Sequence, residues 1–334
     1  MQRRSASKRV RIHIITVIYN RRISRIRSMP QFEAFISRYP EAGWIIADNS
    51  TDDVIVQENR ETASLKNWLR YVECGGNIGL SRAYNRAIAT IPQEEAYWIM
   101  LSDDDTYFSM EYLENAIRRI RHEQKLWKET PAGEKLWTRE AEEDNPLKGG
   151  GQDDPRLDQG MRAAGGRVRE PLRMLCGVVL TEGGWISPRS EHTKEFALSG
   201  LLRQPKPGIY RDLYPINSGL FLEGSAIREA GGFDERLFLD QVDFLMMDRL
   251  RSCGIRRIGV LPGKILQSFS GDMSQGWKKE SSETPGQSAD ERFRIFRKDF
   301  QVYCELTGKP WYYRAWILGR RALMLEIQRK ASFQ

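Results

Sequence analysis

YWIMLSDDDT, residues 97–106, is a short apolar run that ends in three successive carboxylates. An apolar run bounded by polar residues is typical of a buried strand. Carboxylates at the C-terminal edge of an open α/β sheet lie where such sheets bind ligands. Asp103 and Asp105, two residues apart, can face one ligand, while Asp104 points away. Such oxygen ligands suit Mg²⁺ or Mn²⁺ shared with substrate phosphates. The alternative is a solvated acidic loop that caps a helix over residues 110–121.

Three earlier segments, residues 10–19, 44–47 and 69–73, also have the composition of strands that end in polar loops. The first is β-branched and almost continuously apolar, which is typical of a strand covered on both faces. Residues 29–38 and 81–89 have helical spacing, with Ser81 as the cap of the second helix. Strands that alternate with helices predict a parallel, doubly wound sheet whose polar strand ends converge on one edge.

The second half of the chain repeats these signals after a charged interruption. Residues 174–180, 217–224 and 257–261 are predicted strands, and an apolar face over residues 244–255 predicts a helix that Gly254 ends. Residues 225–230 predict a short helix with a serine cap. The charged insertion at about 122–172 fits a solvated loop or a lid, its start being an extension of the preceding helix.

The composition limits the class of protein. In 334 residues, 52 Lys and Arg stand against 45 Asp and Glu, a net charge of +7 that allows an anionic partner without selecting one. The arginines are spread over the whole chain, which argues against nucleic-acid binding. Four scattered cysteines disfavour a zinc site or a disulfide framework. With neither a signal peptide nor a membrane span in the sequence, we expect a cytoplasmic protein, soluble or peripheral at the inner face of the cell membrane.

The C-terminal part is expected to be helical, basic and aromatic. Trp, Tyr and aliphatic residues alternate with Arg and Lys over residues 311–330. A basic amphipathic helix with Trp and Tyr suits the surface of an anionic membrane. The alternative is a helix that packs onto the rest of the protein with its arginines in water. The predicted organisation is a basic tail (1–9), one domain (10–275) and a linker with C-terminal helices (276–334).

Five polar motifs follow one another along the chain, namely Tyr19-Asn20, DNSTD (48–52), GNIG (76–79), DDD (103–105), and NSG (217–219) followed by GGFDERLFLDQVD (231–243). Their order resembles that of the family-2 glycosyltransferases with the A-type nucleotide-sugar fold. The resemblance covers about residues 11–272 apart from the insertion, and the last motif is especially similar to rhamnosyltransferase-like members.

The resemblance implies a single Rossmann-like nucleotide-sugar transferase domain, with a mostly parallel mixed sheet flanked by helices and a C-terminal helical extension. It implies inverting transfer of a sugar, of rhamnosyl, galactosyl or galactofuranosyl type, from a dTDP- or UDP-linked donor. The acceptor would be a hydroxyl of a cell-surface glycan or a lipid-linked molecule. Such a reaction needs a base for the hydroxyl and a divalent metal for the departing diphosphate.

The resemblance also assigns roles to residues of this chain. Asp240 is the expected catalytic base, and Asp243, one turn further on, competes for that role. Asp103 and Asp105 are the expected ligands of Mg²⁺ or Mn²⁺, and Gln267 stands as a weaker ligand where many relatives place a histidine. The expected donor-binding residues are Tyr19, Asn20, Asp48, Asn49, Asn77, Gly79, Ser81, Asp103 and Asp104. The expected acceptor-binding residues are Trp185, Asn217, Ser218, Gly219 and Asp243.

Two other functions remain open on the sequence alone. A nucleotidyltransferase also uses paired carboxylates and a metal on such a sheet, but it usually has a glycine-rich loop after the first strand. The sequence here, YNRR at residues 19–22, contains no glycine. A non-catalytic nucleotide-binding protein is the other alternative.

Overall fold

The computed structural model describes residues 10–92, 96–129, 171–190, 204–268 and 289–331. The predicted basic tail, most of the charged insertion and the predicted linker lie outside these residues. The strands are β1 (Arg11–Ile18), β2 (Ala42–Asp48), β3 (Leu69–Glu73), β4 (Tyr97–Ser102), β5 (Thr106–Phe108), β6 (Met174–Thr181), β7 (Gly184–Ser187), β8 (Arg189–Ser190), β9 (Gly208–Arg211), β10 (Leu213–Tyr214), β11 (Phe221–Glu223) and β12 (Arg257–Gln267). The α-helices are α1 (Met29–Arg38), α2 (Asp53–Ser64), α3 (Leu80–Ala89), α4 (Met110–Glu129), α5 (Gly224–Glu229), α6 (Val242–Ser252), α7 (Ala289–Thr307) and α8 (Trp311–Ala331).

Most of the described strands belong to one mixed sheet. Its order is β3-β2-β1-β4-β11-β6-β12-β5, with β7 beside β6 and β9 beside β12. The half formed by β3, β2, β1 and β4 is parallel, as the alternation of strands and helices predicts. The short strand β11 runs antiparallel between β4 and β6 and joins the two halves. The α/β fold with a mixed sheet and C-terminal helices is therefore confirmed.

Both faces of the sheet are buried. Successive side chains of a strand point to opposite faces, so Ile12, Ile14 and Ile18 of β1 lie in one apolar cluster, while Ile15 lies in the other. Helices α1 and α4 cover the first face, and α3, α5, α6 and α7 cover the second. This double cover explains why β1 is apolar almost without interruption.

Two helix caps differ from the prediction. Ser81 is buried inside α3, and Gly79 takes the N-cap position with φ at +89°. Helix α5 begins at Gly224, because the side chain of Glu223 accepts the N–H of Ala226 at 3.1 Å. In both cases the N-cap lies two positions before the predicted serine.

Helix α2 was not predicted from the sequence. Its segment has a weak apolar face, and the cap supplies the missing signal. The side chain of Asp52 accepts the N–H groups of Val54 and Ile55 at 2.9 and 3.2 Å. A side-chain acceptor at this position is worth about 1 kcal/mol to a helix.

The two C-terminal helices pack in different ways. Phe296, Phe300 and Tyr303 of α7 are buried in the core, and the Arg321 guanidinium of α8 stacks on the Phe296 ring at 3.8 Å. The exposed large hydrophobic side chains of α8 are Trp311, Tyr312, Trp316, Leu323 and Ile327. Among the described helices, none has the length and apolar composition needed to cross a membrane.

Candidate active site

The acidic turn after β4 joins three parts of the chain that are far apart in sequence. Asp103 Oδ2 accepts hydrogen bonds from the hydroxyl of Ser218 and, at 3.0 Å, from Nε2 of Gln267. The hydroxyl of Ser218 also lies 3.1 Å from that of Thr106. The structure thus brings together an expected metal ligand, an expected acceptor residue and the amide at the end of β12.

Sheet pairing fixes this arrangement. Thr106 of β5 lies opposite Gln267 of β12 in the antiparallel register. The N–H of Gly219 donates to the carbonyl of Leu101 at 2.9 Å, which holds the turn before β11 against β4. Gly219 has φ at +83°, and a Cβ atom there would lie 2.7 Å from Ile265. Glycine is therefore required at this turn. Strand β11 starts at Phe221, four residues later than predicted.

Burial raises the pKa of all three successive acids. Burial raises the pKa of Asp105 to about 7, and the charges of Asp103 and Asp104 add to this effect. Burial also raises the pKa of Asp104 to about 6, although Arg21 lies 2.7 Å from its carboxylate and opposes the shift. The pKa of Asp103 is raised by burial. A group of carboxylates that resist ionisation together is one that a bound cation would stabilise.

Asp243 links the acidic turn to the other expected catalytic segment. Burial raises its pKa to about 7, while the N–H of Phe244, at 2.8 Å from Oδ1, acts in the opposite direction. The charges of Asp103 and Asp240 both raise the Asp243 pKa further. The charges of Asp103 in the β4–β5 turn and of Asp240 before α6 therefore both act on Asp243.

Asp240, the expected base, is held by two residues of α7 that the sequence analysis did not identify. Arg292 pairs with both oxygens of the Asp240 carboxylate, with one N···O distance of 2.8 Å. The carboxylate of Asp299 accepts the N–H groups of Phe238, Leu239 and Asp240 at 3.0, 2.7 and 2.8 Å. Contacts between residues more than 50 positions apart have no local sequence signal.

The loops after β1 and β2 are tied to each other. Asn20 has φ at +46°, and its side-chain oxygen accepts the N–H groups of Thr51 and Asp52 at 2.8 and 3.2 Å. Its own N–H donates to Ser50 Oγ at 2.8 Å. Tyr19 next to it is exposed. Tyr19 and Asn20, two of the expected donor-binding residues, thus lie on a polar rim formed by the loops after β1 and β2.

Asp48 shapes this rim from inside the protein. It is fully buried, and its carboxylate accepts hydrogen bonds from the N–H of Ser50, from Asn59 and from the Tyr71 hydroxyl, each at 2.8 Å. These three contacts occupy the carboxylate. Its expected contact with a nucleoside stays a prediction.

Two polar atoms near the loop before α3 lack hydrogen-bond partners among the described residues. Asn49 Nδ2 donates to the Gly79 carbonyl at 3.3 Å, and Asn77 Oδ1 accepts the Gly79 N–H at 3.4 Å. Asn49 Oδ1 and Ser81 Oγ are buried with no hydrogen-bond partner in the described part of the chain. A buried polar atom without a partner costs about 1–3 kcal/mol, so these positions favour a polar ligand.

The expected acceptor residues divide into two groups. Ser218 contacts the acidic turn directly, and Asn217 beside it is buried with no partner for Oδ1 within the described residues. Trp185 lies in β7, in the hairpin that β7 forms with β6, and Arg189 stacks over its ring at 5.6 Å. Asn217, Ser218 and Gly219 thus form a wall of the acidic site.

The parallel half of the sheet, the polar rim and the acidic turn lie in the part of the chain that matches a known family. Residues 14–141 match the family model of glycosyl transferase family 2. The match ends after β5 and α4. It includes Asp103, Asp104 and Asp105 but not Asp240, Asp243 or Gln267.

Comparison with solved structures gives alignments over most of this chain. S. aureus TarS aligns with a TM-score of 0.47 and 13% identity over 88% of this chain and 40% of that chain. GalNAc-T7 with UDP, GalNAc and Mn²⁺ aligns with a TM-score of 0.48 and 13% identity over 79% of this chain and 45% of that chain. TarS 1–349 with UDP-GlcNAc aligns with a TM-score of 0.46 and 12% identity over 94% of this chain and 72% of that chain. Comparison with curated protein sequences gives no match.

The donor atoms at the acidic turn fit a hard divalent cation. Within the described residues, no three His, Cys, Asp or Glu side chains are grouped as a metal site. Asp103 and Asp105 supply two carboxylates, and Gln267 Oε1 is a buried oxygen with no hydrogen-bond partner in the described residues. Oxygen ligands of this kind suit Mg²⁺ or Mn²⁺, which keep further positions for water and substrate oxygens.

Proposed function

We propose that this protein is a family-2 glycosyltransferase that moves a sugar, with inversion, from a nucleotide-diphosphate donor to a hydroxyl group. The observation that carries the proposal is the acidic turn after β4, where Asp103 Oδ2 accepts hydrogen bonds from Ser218 and Gln267. The charge of Asp103 also raises the pKa of Asp243, so an acid that would hold a metal acts on an acid that would take a proton. This arrangement adjoins a segment that matches glycosyl transferase family 2.

In this proposal Asp103, Asp105 and the side-chain oxygen of Gln267 hold Mg²⁺ or Mn²⁺. The metal, when bound, neutralises charge on the departing nucleoside diphosphate. Asn49 and Ser81 offer buried polar atoms to the donor, and Tyr19 and Asn20 lie on the rim that would border it. Asn217 and Ser218 form the wall towards the acceptor.

Two carboxylates compete for the role of base. A general base works best when its pKa lies near the working pH, and Asp243 meets this condition with a pKa of about 7. Its Oδ1 is engaged by a backbone N–H, which leaves Oδ2 to take the proton of the acceptor hydroxyl. Asp240 is already paired with Arg292. These contacts favour Asp243, and Asp240 stays the sequence-based prediction.

A donor panel tests the function. The purified protein is incubated with UDP-GlcNAc, UDP-galactose, UDP-galactofuranose and dTDP-rhamnose, each with Mn²⁺, Mg²⁺ or EDTA, together with glycan and lipid-linked acceptors. We expect metal-dependent release of nucleoside diphosphate from at least one donor, and NMR of the product shows whether the anomeric configuration is inverted. Absence of transfer from every donor would contradict the proposal.

The same assay separates the two candidate bases. We expect Asp243→Asn to lower transfer by about 100-fold or more, and Asp240→Asn to lower it by less than about tenfold. Glu305→Gln on the exposed side of α7 is the matched control, because it makes the same type of change away from the acids. The reverse order of effects would assign the base to Asp240.

The second partner in this proposal is an anionic membrane surface on the cytoplasmic side, which would present a lipid-linked acceptor. The exposed face of α8 carries Trp311, Tyr312 and Trp316, residues that favour the membrane interface. The chain has a net charge of +7, which complements an anionic surface.

A further inference from the structure

Three consecutive backbone N–H groups before α6 point at a single carboxylate. The segment 238–240 donates all three to Asp299, which is fully buried. A carboxylate can accept this many hydrogen bonds because it has two oxygens with two lone pairs each. An asparagine would replace one of these acceptors by an NH₂ group that meets donors. The arrangement therefore depends on the acid and not only on its size.

The other side of the segment 238–240 contacts the loop before α3. The Phe238 carbonyl accepts the N–H of Leu80 at 2.5 Å. The Phe238 ring fills the space beside Gly79, where a Cβ atom would lie 2.7 Å from Cδ2. The segment is thus fixed between an expected donor-binding loop and α7.

Helix α7 also binds the side chain of Asp240. Arg292 pairs with the Asp240 carboxylate, and Arg292 and Asp299 are seven residues apart, so they lie on one face of the helix two turns from each other. One turn further along this face, the Tyr303 hydroxyl donates to Asp248 of α6 at 2.8 Å. Helix α7 therefore contacts the backbone of residues 238–240, the side chain of Asp240 and helix α6.

We propose that Asp299 and Arg292 are positioning residues of the transfer reaction. They set the distance of Asp240 and Asp243 from the donor-binding loop and the acidic turn, without touching the substrate themselves. The inference rests on the proposed function and adds to it that α7, far outside the family match, is part of the catalytic unit. A displacement of about 1 Å between reacting groups is enough to slow a reaction by about 100-fold.

The test separates turnover from binding. In Asp299→Asn we expect kcat for the best donor of the panel to fall by about 100-fold. The Kd for UDP with Mn²⁺, measured by calorimetry, should stay within about threefold of the wild type. Hydrogen exchange of the 238–240 amides should become faster, while β1–β4 stay unchanged. Glu305→Gln on the same helix is the control and should match the wild type in all three measurements.

Each outcome decides the inference. A folded Asp299→Asn with wild-type kcat, even with a lower melting temperature, would overturn it, as would an equal loss of UDP binding and turnover. If Asp299→Asn does not fold, Arg292→Gln decides, since Arg292 is partly exposed. A severalfold fall in its kcat, no larger than that of Asp240→Asn, with unchanged UDP affinity supports positioning, and an unchanged kcat overturns it. A wild type that turns over no donor contradicts the proposed function itself.

Discussion

At the scale of single residues, the acids of the site make the stability of the ligand-free protein depend on pH. Asp243 has a pKa of about 7 in the folded protein, against 3.8 for the free side chain. A carboxyl with a raised folded pKa contributes stability that is fully present below the unfolded value and is lost as the pH rises through the folded value. The pKa of Asp105 is also raised, so its contribution to stability changes with pH in the same direction.

We expect Asp243→Asn to remove part of this dependence, because an amide does not ionise. The melting temperature of the variant should exceed that of the wild type increasingly as the pH rises from about 4 to about 8. Burial lowers the pKa of His13 to about 4, so His13 acts with the opposite sign: the stability that it contributes is lost as the pH falls below about 6.5. His13 is present in both proteins and does not affect the comparison. Melting curves that stay parallel over this range would contradict the expectation.

Two glycines with positive φ allow a clean test of the contact between the donor-binding loop and the segment 238–240. A Cβ atom added at Gly79 would lie 2.7 Å from the Phe238 ring. A Cβ atom added at Gly75, which has φ at +72°, would have no atom within 4 Å. Alanine at either position costs about 1–3 kcal/mol, because residues with a side chain rarely adopt a positive φ. We expect Gly79→Ala to cost more than Gly75→Ala in urea unfolding and to weaken UDP binding. Equal losses would contradict a close approach at Gly79.

At the scale of elements, the side chains of α8 bear on the two alternatives that its periodic pattern leaves open. Its alternation of basic and aromatic residues gives a correct helix, but Arg321 packs onto an aromatic ring, and Trp316 faces water. A guanidinium is planar and weakly hydrated, so it stacks on a ring at low cost. Exposure of the aromatic face is the unusual feature, because large apolar patches mark interaction sites.

We expect Trp316→Ala to weaken binding to vesicles that contain anionic lipid by about tenfold, since burial of a large apolar side chain is worth about 2 kcal/mol. Vesicle co-sedimentation at low and high salt measures this, and vesicles of neutral lipid test the charge contribution. Ala315→Ser on the same helix is the control. Wild-type protein that binds no vesicles and dimerises through this face would contradict the membrane proposal.

At the scale of the whole molecule, the sequence predicts the parallel half best. The predicted bounds of β3 are the observed ones, and those of β1, β2 and β4 are within about two residues. Local signals suffice there, because each strand is apolar and ends in a polar loop. Asp103 and its neighbours were found for the same reason.

The rest of the site depends on contacts that local patterns do not encode. Arg292 and Asp299 were assigned to a basic helical tail, and only the packing of α7 turns them towards Asp240. The final strand is predicted to end at residue 261, whereas β12 continues to Gln267, and the hydrogen bond that Gln267 donates to Asp103 depends on the β5–β12 register. Buried polar pairing between distant segments is thus the part of the site that required the structure.

The position of β4 has a consequence for any attempt to isolate the family-matched segment. All six residues of β4 are buried, and the strand lies between β1 and β11. A fragment that stops at residue 141 would lack β11 and leave an apolar strand edge open to the solvent. Such edges recruit neighbouring chains and promote aggregation. The two halves of the sheet therefore have to be produced together for the protein to stay in solution.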